Sequence, residues 1–177
     1  PARQLVPKAW AGLSDAETVT ALHDFTANAL QSFEDAGVDV SMVQVGNETN
    51  NAIAGHTRPG REIDAQFAGL VSAGSAAVRE VLPDALVAVH FTNPETAGRY
   101  ATYAAGLAQF GVDYDVFASS YYPYWHGSTE NLTAVLSDVA TTYGKQVMVA
   151  ETSWARTLED GDGHPNDLTD LRLDELH

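Results

Sequence analysis

Four short apolar runs alternate with four helical patterns, and the acidic, aromatic and histidine residues gather just after the runs. Together these predict an α/β fold on a parallel sheet, read as part of a (β/α)8 barrel. Alternation of this kind requires a sheet buried on both faces, which is why the strand segments are continuous apolar runs and do not alternate. An open doubly wound sheet shares the alternation and also uses its strand C-termini, usually with a glycine-rich phosphate turn that is absent here.

The first helix is expected from Ser14, where Ser14 and Glu17 form a capping box and Val19, Leu22, Phe25, Ala29, Leu30 and Phe33 follow at helical spacing up to Gly37. Val38 to Val45 then reads as a strand opening through Gly46-Asn47-Glu48 into a polar loop that spans roughly 49–60. Ile63, Phe67, Leu70, Val71, Ala77, Val78 and Val81 suit a second helix, Pro83-Asp84 marks a turn, and Ala85 to Phe91 suits a second strand. Pro94 to Phe110 is helical in composition and Gly111 breaks it. Tyr114 to Ser120 follows as a strand and enters the aromatic segment Tyr121-Tyr122-Pro123-Tyr124-Trp125-His126-Gly127. A fourth helix over 128–143 ends at Gly144-Lys145, and Gln146 to Ala150 forms the last strand, with Glu151 at its end.

Composition narrows the function classes. With 24 acidic against 9 basic residues, the formal charge of −15 opposes binding to nucleic acid or an anionic membrane surface. The absence of cysteine excludes disulfides, thiolate chemistry and sulfur-ligated metals. No apolar stretch approaches the ~18 residues of a membrane span. The opening PARQLVPKAW lacks the signal-peptide pattern and an initiator Met, as expected of a start in mid-protein.

Glu48 and Glu151 each terminate an apolar run, so both carboxylates are expected at the same rim. Retaining glycosidases need two carboxyl groups about 5 to 5.5 Å apart, one to protonate the departing oxygen and one to attack the anomeric carbon. A single strand-end glutamate serves equally as a helix cap or salt-bridge partner; two of them, with Asn47 and tryptophans nearby, point to catalysis. His90 follows a buried strand and could bond a sugar or orient a carboxylate. Aromatic planes stack on the C–H faces of sugars, so Tyr121, Trp125, His126 and Trp154 are candidate substrate contacts, Trp125 and His126 foremost. One of the paired tyrosines is expected in the packing.

Val43-Gln44-Val45-Gly46-Asn47-Glu48-x-Asn50-Asn51, Ser120-Tyr121-Tyr122-Pro123-x-Trp125-His126-Gly127 and Ala150-Glu151-Thr152, in this order and spacing, resemble glycoside hydrolase family 53, the endo-β-1,4-galactanases of arabinogalactan. Pro7-Lys8-Ala9-Trp10 and the following helix share the resemblance, which runs to about Asp167. It implies Glu48 as acid/base at the end of the fourth barrel strand, Glu151 as nucleophile at the end of the seventh, and Asn47 on the sugar 2-hydroxyl. The implied substrate is a β-1,4-galactan polysaccharide met outside the cell by a secreted enzyme that needs no organic cofactor. Rival readings are hydrolysis of another β-glycan, such as mannan or cellulose, a catalytically silent carbohydrate-binding fragment, and an α/β regulatory module with chance carboxylates.

Asp160-Gly161-Asp162-Gly163-His164-Pro165-Asn166 alternates oxygen-bearing residues around glycines, which suits Ca2+ or simply a solvated acidic turn. The resemblance implies a structural Ca2+ at Asp160, Asp162, His164 and Asn166. A complete barrel needs eight strands and usually about 250 residues, so residues 1–177 are expected to be a single partial catalytic domain spanning strands four to seven. Half a barrel leaves two unpaired sheet edges, which favour self-association.

Overall fold

A computed structural model describes residues 4–57 and 62–154. After a 3-10 turn at Lys8–Trp10 the elements run α1 (Asp15–Asp35), β1 (Met42–Val45), α2 (Ala65–Val81), β2 (Leu86–Phe91), α3 (Arg99–Gln109), β3 (Val116–Ser120), α4 (Thr129–Tyr143) and β4 (Gln146–Glu151). The four strands form one parallel sheet in the order β1-β2-β3-β4. Each strand joins its predecessor without a reversal of direction. Right-handed crossovers in such a sheet place every helix on the same face, the arrangement of a barrel wall, whereas a doubly wound sheet reverses at a switch point.

The local signals act as their chemistry requires. Ser14 Oγ accepts from the Glu17 N–H while Glu17 Oε2 accepts from the Ser14 N–H at 2.8 Å, so the capping box starts α1. Asp64 and Ser128 cap α2 and α4 by the same type of bond, and Gly144, at φ +65, ends α4 in the left-handed conformation that glycine adopts without penalty. Two boundaries differ from expectation by more than two residues. The first strand begins at Met42, not Val38, because its neighbour starts only at Leu86, after the Pro83-Asp84 turn, and leaves residues 38–40 without a ladder partner. The third helix begins at Arg99, not Pro94, because Asn93 and Gly98 both adopt positive φ and interrupt any helix before that point.

The core lies between the sheet and the helices. Val87, Val89 and Phe91 of β2 and Phe117 of β3 meet Phe67, Leu70 and Val71 of α2 and Tyr100, Tyr103 and Leu107 of α3 in one buried cluster. On the sheet's other, inner face the alternation places Ala88, His90, Ala118 and Ser120. Among the described residues β1 and β4 each pair on one side only, and Met42, Val147 and Val149 are exposed there. Among the described residues no helix is long and apolar enough to cross a membrane.

Packing between α2 and β1 is tight enough to test. A Cβ on Gly74 would lie 2.6 Å from Val45 Cγ1 and 3.3 Å from Leu22 Cδ2. In an exposed helix Gly→Ala stabilises by about 1 kcal/mol; here overpacking, typically about 1 to 3 kcal/mol, works against that gain. Gly74→Ala is therefore expected to lower the free energy of unfolding in urea, and a gain would show that Val45 yields freely.

Candidate active site

Glu48 lies three residues beyond the last residue of β1. The chain turns there through Gly46 at φ +78, where a Cβ would meet Thr49 Cγ2 at 2.4 Å, so only glycine is accommodated. Glu48 itself sits at φ +43, an uncommon conformation for a residue with a side chain. The turn is held from β2: the Thr49 N–H and Oγ1 both donate to the His90 carbonyl at 2.8 Å, and the Glu48 N–H donates to His90 Nδ1 at 3.3 Å. Asn50 Oδ1 accepts from the Thr92 N–H at 2.7 Å and fastens the next residues to the end of β2. The Glu48 carboxylate accepts from Ser120 Oγ at Oε1 (2.8 Å) and from Asn51 Nδ2 at Oε2 (3.3 Å).

Glu151 reaches the same face through an irregularity. Ser119 pairs with Val149 but Ser120 pairs with Glu151, so Ala150 is an extra residue in β4. Side chains alternate with a period of two, and one inserted residue reverses which face the next one occupies. Without the bulge, Ala150 would lie beside Ser120 on the inner face and Glu151 would follow Val149 toward the helices. With it, Glu151 joins Ser120 and His90. Its Oε2 accepts from Tyr122 Oη at 2.9 Å, and its Oε1 lies 3.8 Å from His90 Nδ1. Burial first, then the bond to Glu151, pushes the Tyr122 hydroxyl up to about 12, so it remains a donor to that carboxylate throughout the neutral range.

The structure therefore brings Glu48, Glu151 and His90 together, but His90 is no sugar contact. Its side chain is 0% exposed, enclosed between the two glutamates and Ser120. His126, expected to face a ligand, is buried as well: it is 2% exposed, and its Nδ1 accepts from the Tyr122 N–H at 3.0 Å within the aromatic segment. Burial lowers the proton affinity of both imidazoles, against the opposing pull of nearby carboxylates, Glu151 for His90 and Glu95 for His126. Tyr121 is the packing tyrosine, 7% exposed with its hydroxyl donating to the Gly127 carbonyl, and Tyr122 takes the site position instead. Asn47 is half-buried at the rim, its carbonyl accepting from Gln4 Nε2.

Trp125 and Trp154 are exposed on the aromatic side of the site. Trp125 sits 5.5 Å from the Tyr122 ring, and Tyr124 stacks on Trp154 at 5.5 Å with the planes 9° apart. An aromatic surface thus extends from the Glu151 side of the rim, with the Trp125 plane tilted 33° from Tyr122 and 42° from Tyr124. Asp160, Asp162, His164 and Asn166 lie outside the described residues. Ser120, like Tyr122, has no site role on sequence alone; the Ser119-Ser120 pair closing an otherwise apolar strand, just before the aromatic segment, was the available signal for it.

Parallel βα units whose carboxylates gather beyond the strand C-termini at one rim define a protein of the βα-barrel class. The family model for glycosyl hydrolase family 53 matches residues 1–175, and the chain belongs to that family. It is 56% identical over 166 residues to the endo-beta-1,4-galactanase of Bacillus subtilis (strain 168), covering 94% of this chain and 38% of that protein. With the arabinogalactan endo-beta-1,4-galactanase of Cellvibrio japonicus (strain Ueda107) it shares 35% identity over 180 residues, covering 95% of this chain and 46% of that protein. The family 53 catalytic domain from Ignisphaera aggregans superimposes with a TM-score of 0.83 at 38% identity, over 95% of this chain and 46% of that domain. The chain thus spans less than half the length of these relatives, and its fold is part of their (β/α)8 barrel.

Proposed function

We propose that this chain carries both catalytic carboxylates of an endo-acting, retaining β-1,4-galactanase. The observation that carries the reading is the bulge in β4, which puts Glu151 on the inner face beside His90, Ser120 and Glu48. The names of the relatives from Bacillus subtilis and Cellvibrio japonicus support galactan as the substrate.

In this reading Glu151 attacks the anomeric carbon while Glu48 protonates the glycosidic oxygen, and the C–O bond breaks with its electron pair leaving on that oxygen. The resulting glycosyl ester on Glu151 is hydrolysed by a water that gives its proton to Glu48. Tyr122 favours the ionised nucleophile by donating to Glu151 Oε2. Asn47 contacts the sugar 2-hydroxyl, and Trp125 and Trp154 offer planes for sugar rings. A polymeric substrate requires the enzyme to act outside the cell, so secretion is part of the proposal. A structural Ca2+ at Asp160, Asp162, His164 and Asn166 belongs to it on the family resemblance of that loop. Chelation is then expected to lower the Tm of the full-length protein, with recovery on adding Ca2+; an unmoved Tm removes the ion.

The test is release of reducing ends by the full-length protein from β-1,4-galactan, with β-mannan and cellulose alongside. Release from galactan alone is expected. Release only from mannan or cellulose would overturn the substrate, and no release from any glycan by folded protein would overturn the enzymatic reading.

A further inference from the structure

Between the two glutamates, the Glu48 backbone, His90, Ser120 and the Glu48 carboxylate form a closed ring of hydrogen bonds, and chemistry dictates the direction of each. A backbone N–H can only donate, so His90 Nδ1, 3.3 Å from the Glu48 nitrogen, accepts and carries no hydrogen. The imidazole hydrogen is therefore on Nε2, which donates to Ser120 Oγ at 2.9 Å. Having accepted there, the serine hydroxyl gives its own hydrogen to Glu48 Oε1 at 2.8 Å. Two of the three side chains in the ring, His90 and Ser120, are 0% exposed, so no water competes for the bond between them, while the Glu48 carboxylate at the end of the ring is half-buried. The same imidazole stabilises the positive-φ backbone of Glu48, and the His90 carbonyl holds Thr49 next to it.

The ring treats the two carboxylate oxygens of Glu48 unequally. Oε1 receives the 2.8 Å bond from the buried Ser120, whereas among the described residues Oε2 meets Nδ2 of the exposed Asn51 at 3.3 Å, a longer contact open to water. A protonated carboxyl whose carbonyl oxygen already accepts a hydrogen bond keeps its hydrogen on the other oxygen. We propose that Ser120 and His90 are positioning residues for proton transfer by Glu48, committing Oε1 as an acceptor and reserving Oε2 to carry the proton. This rests on the reading of Glu48 as acid/base. In the first step the Oε2 proton passes to the glycosidic oxygen as the C–O bond breaks toward that oxygen and Glu151 bonds to the anomeric carbon. In the second, Oε2 takes a proton from water as the water oxygen bonds to that carbon and the Glu151 ester breaks.

A merely structural ring and a positioning ring differ in which substrates they affect. A dinitrophenyl β-galactobioside expels a leaving group that needs no proton, whereas galactan does. In the full-length protein the ratio of kcat/KM for galactan to kcat/KM for the aryl glycoside is expected to fall about 10- to 100-fold in Ser120→Ala, part of the ~100- to 10,000-fold that general acid catalysis contributes. Glu48→Ala is expected to lower the same ratio further. Because the ratio is internal to each variant, partial misfolding does not move it. A Ser120→Ala ratio equal to that of the unsubstituted protein overturns the proposal. If Glu48→Ala leaves the ratio unchanged, the acid/base reading itself fails, whatever Ser120→Ala does. Independently, 15N NMR at neutral pH is expected to show the His90 resonances, assigned by their loss in His90→Gln, with Nε2 protonated and Nδ1 bare. The opposite tautomer overturns the ring.

Discussion

Glu151→Ala is expected to lower galactan hydrolysis by the full-length protein on the order of 10,000-fold or more, the scale on which loss of an attacking nucleophile acts. No other acidic group among the described residues occupies the inner face at the end of β4, and the Tyr122 hydroxyl that serves Glu151 would be left without its acceptor. Rate alone does not assign a role, because removing Glu48 also abolishes cleavage of an unactivated bond. Added azide separates the two with the activated aryl glycoside. In Glu151→Ala, azide can enter on the face vacated by the carboxylate and displace the leaving group once, which inverts the anomeric carbon and yields an α-galactosyl azide. In Glu48→Ala the ester on Glu151 still forms, and azide replaces water in opening it, which restores the β configuration. Product stereochemistry opposite to this in both variants would exchange the two roles.

The second large effect concerns stability. Phe91 closes β2 immediately after His90 and faces the helices while His90 faces the site. Its ring is 0% exposed and stacks 4.8 Å from Tyr103 and 4.9 Å from Phe117, with Phe67 at 6.4 Å. Cutting such a ring to a methyl group leaves a cavity walled by other aromatics, which cannot collapse without tilting α2 or α3. Phe→Ala in this setting costs about 3 to 5 kcal/mol, a large share of the roughly 5 to 15 kcal/mol by which domains are stable. The expected result for Phe91→Ala is a lower urea midpoint at unchanged slope. A loss under about 1 kcal/mol would mean that this cluster does not carry the core. Since His90 is the adjacent residue, activity is expected to fail at lower urea concentration than global unfolding in this variant.

How far the amino-acid sequence reaches is visible at particular residues. The order of helices and strands, the parallel sheet and both strand-end glutamates were legible, because burial on two faces writes an apolar run and a cap writes Ser-x-x-Glu into the chain itself. The aromatic segment was legible as a group. Its members were not separable: Tyr121 and Tyr122 are chemically alike, and only the direction in which the chain leaves β3 turns one into the core and the other onto Glu151. His90 and His126 read as ligand-facing residues because burial of a single imidazole depends on neighbours distant in sequence, Ser120 and Glu48 for one and Thr92 for the other. Most consequentially, the apolar run before Glu151 says that a strand ends there but not which way the side chain points. A period of two makes that choice depend on a single residue, and the unpaired Ala150 in β4 makes it, through register against β3 that no local pattern encodes.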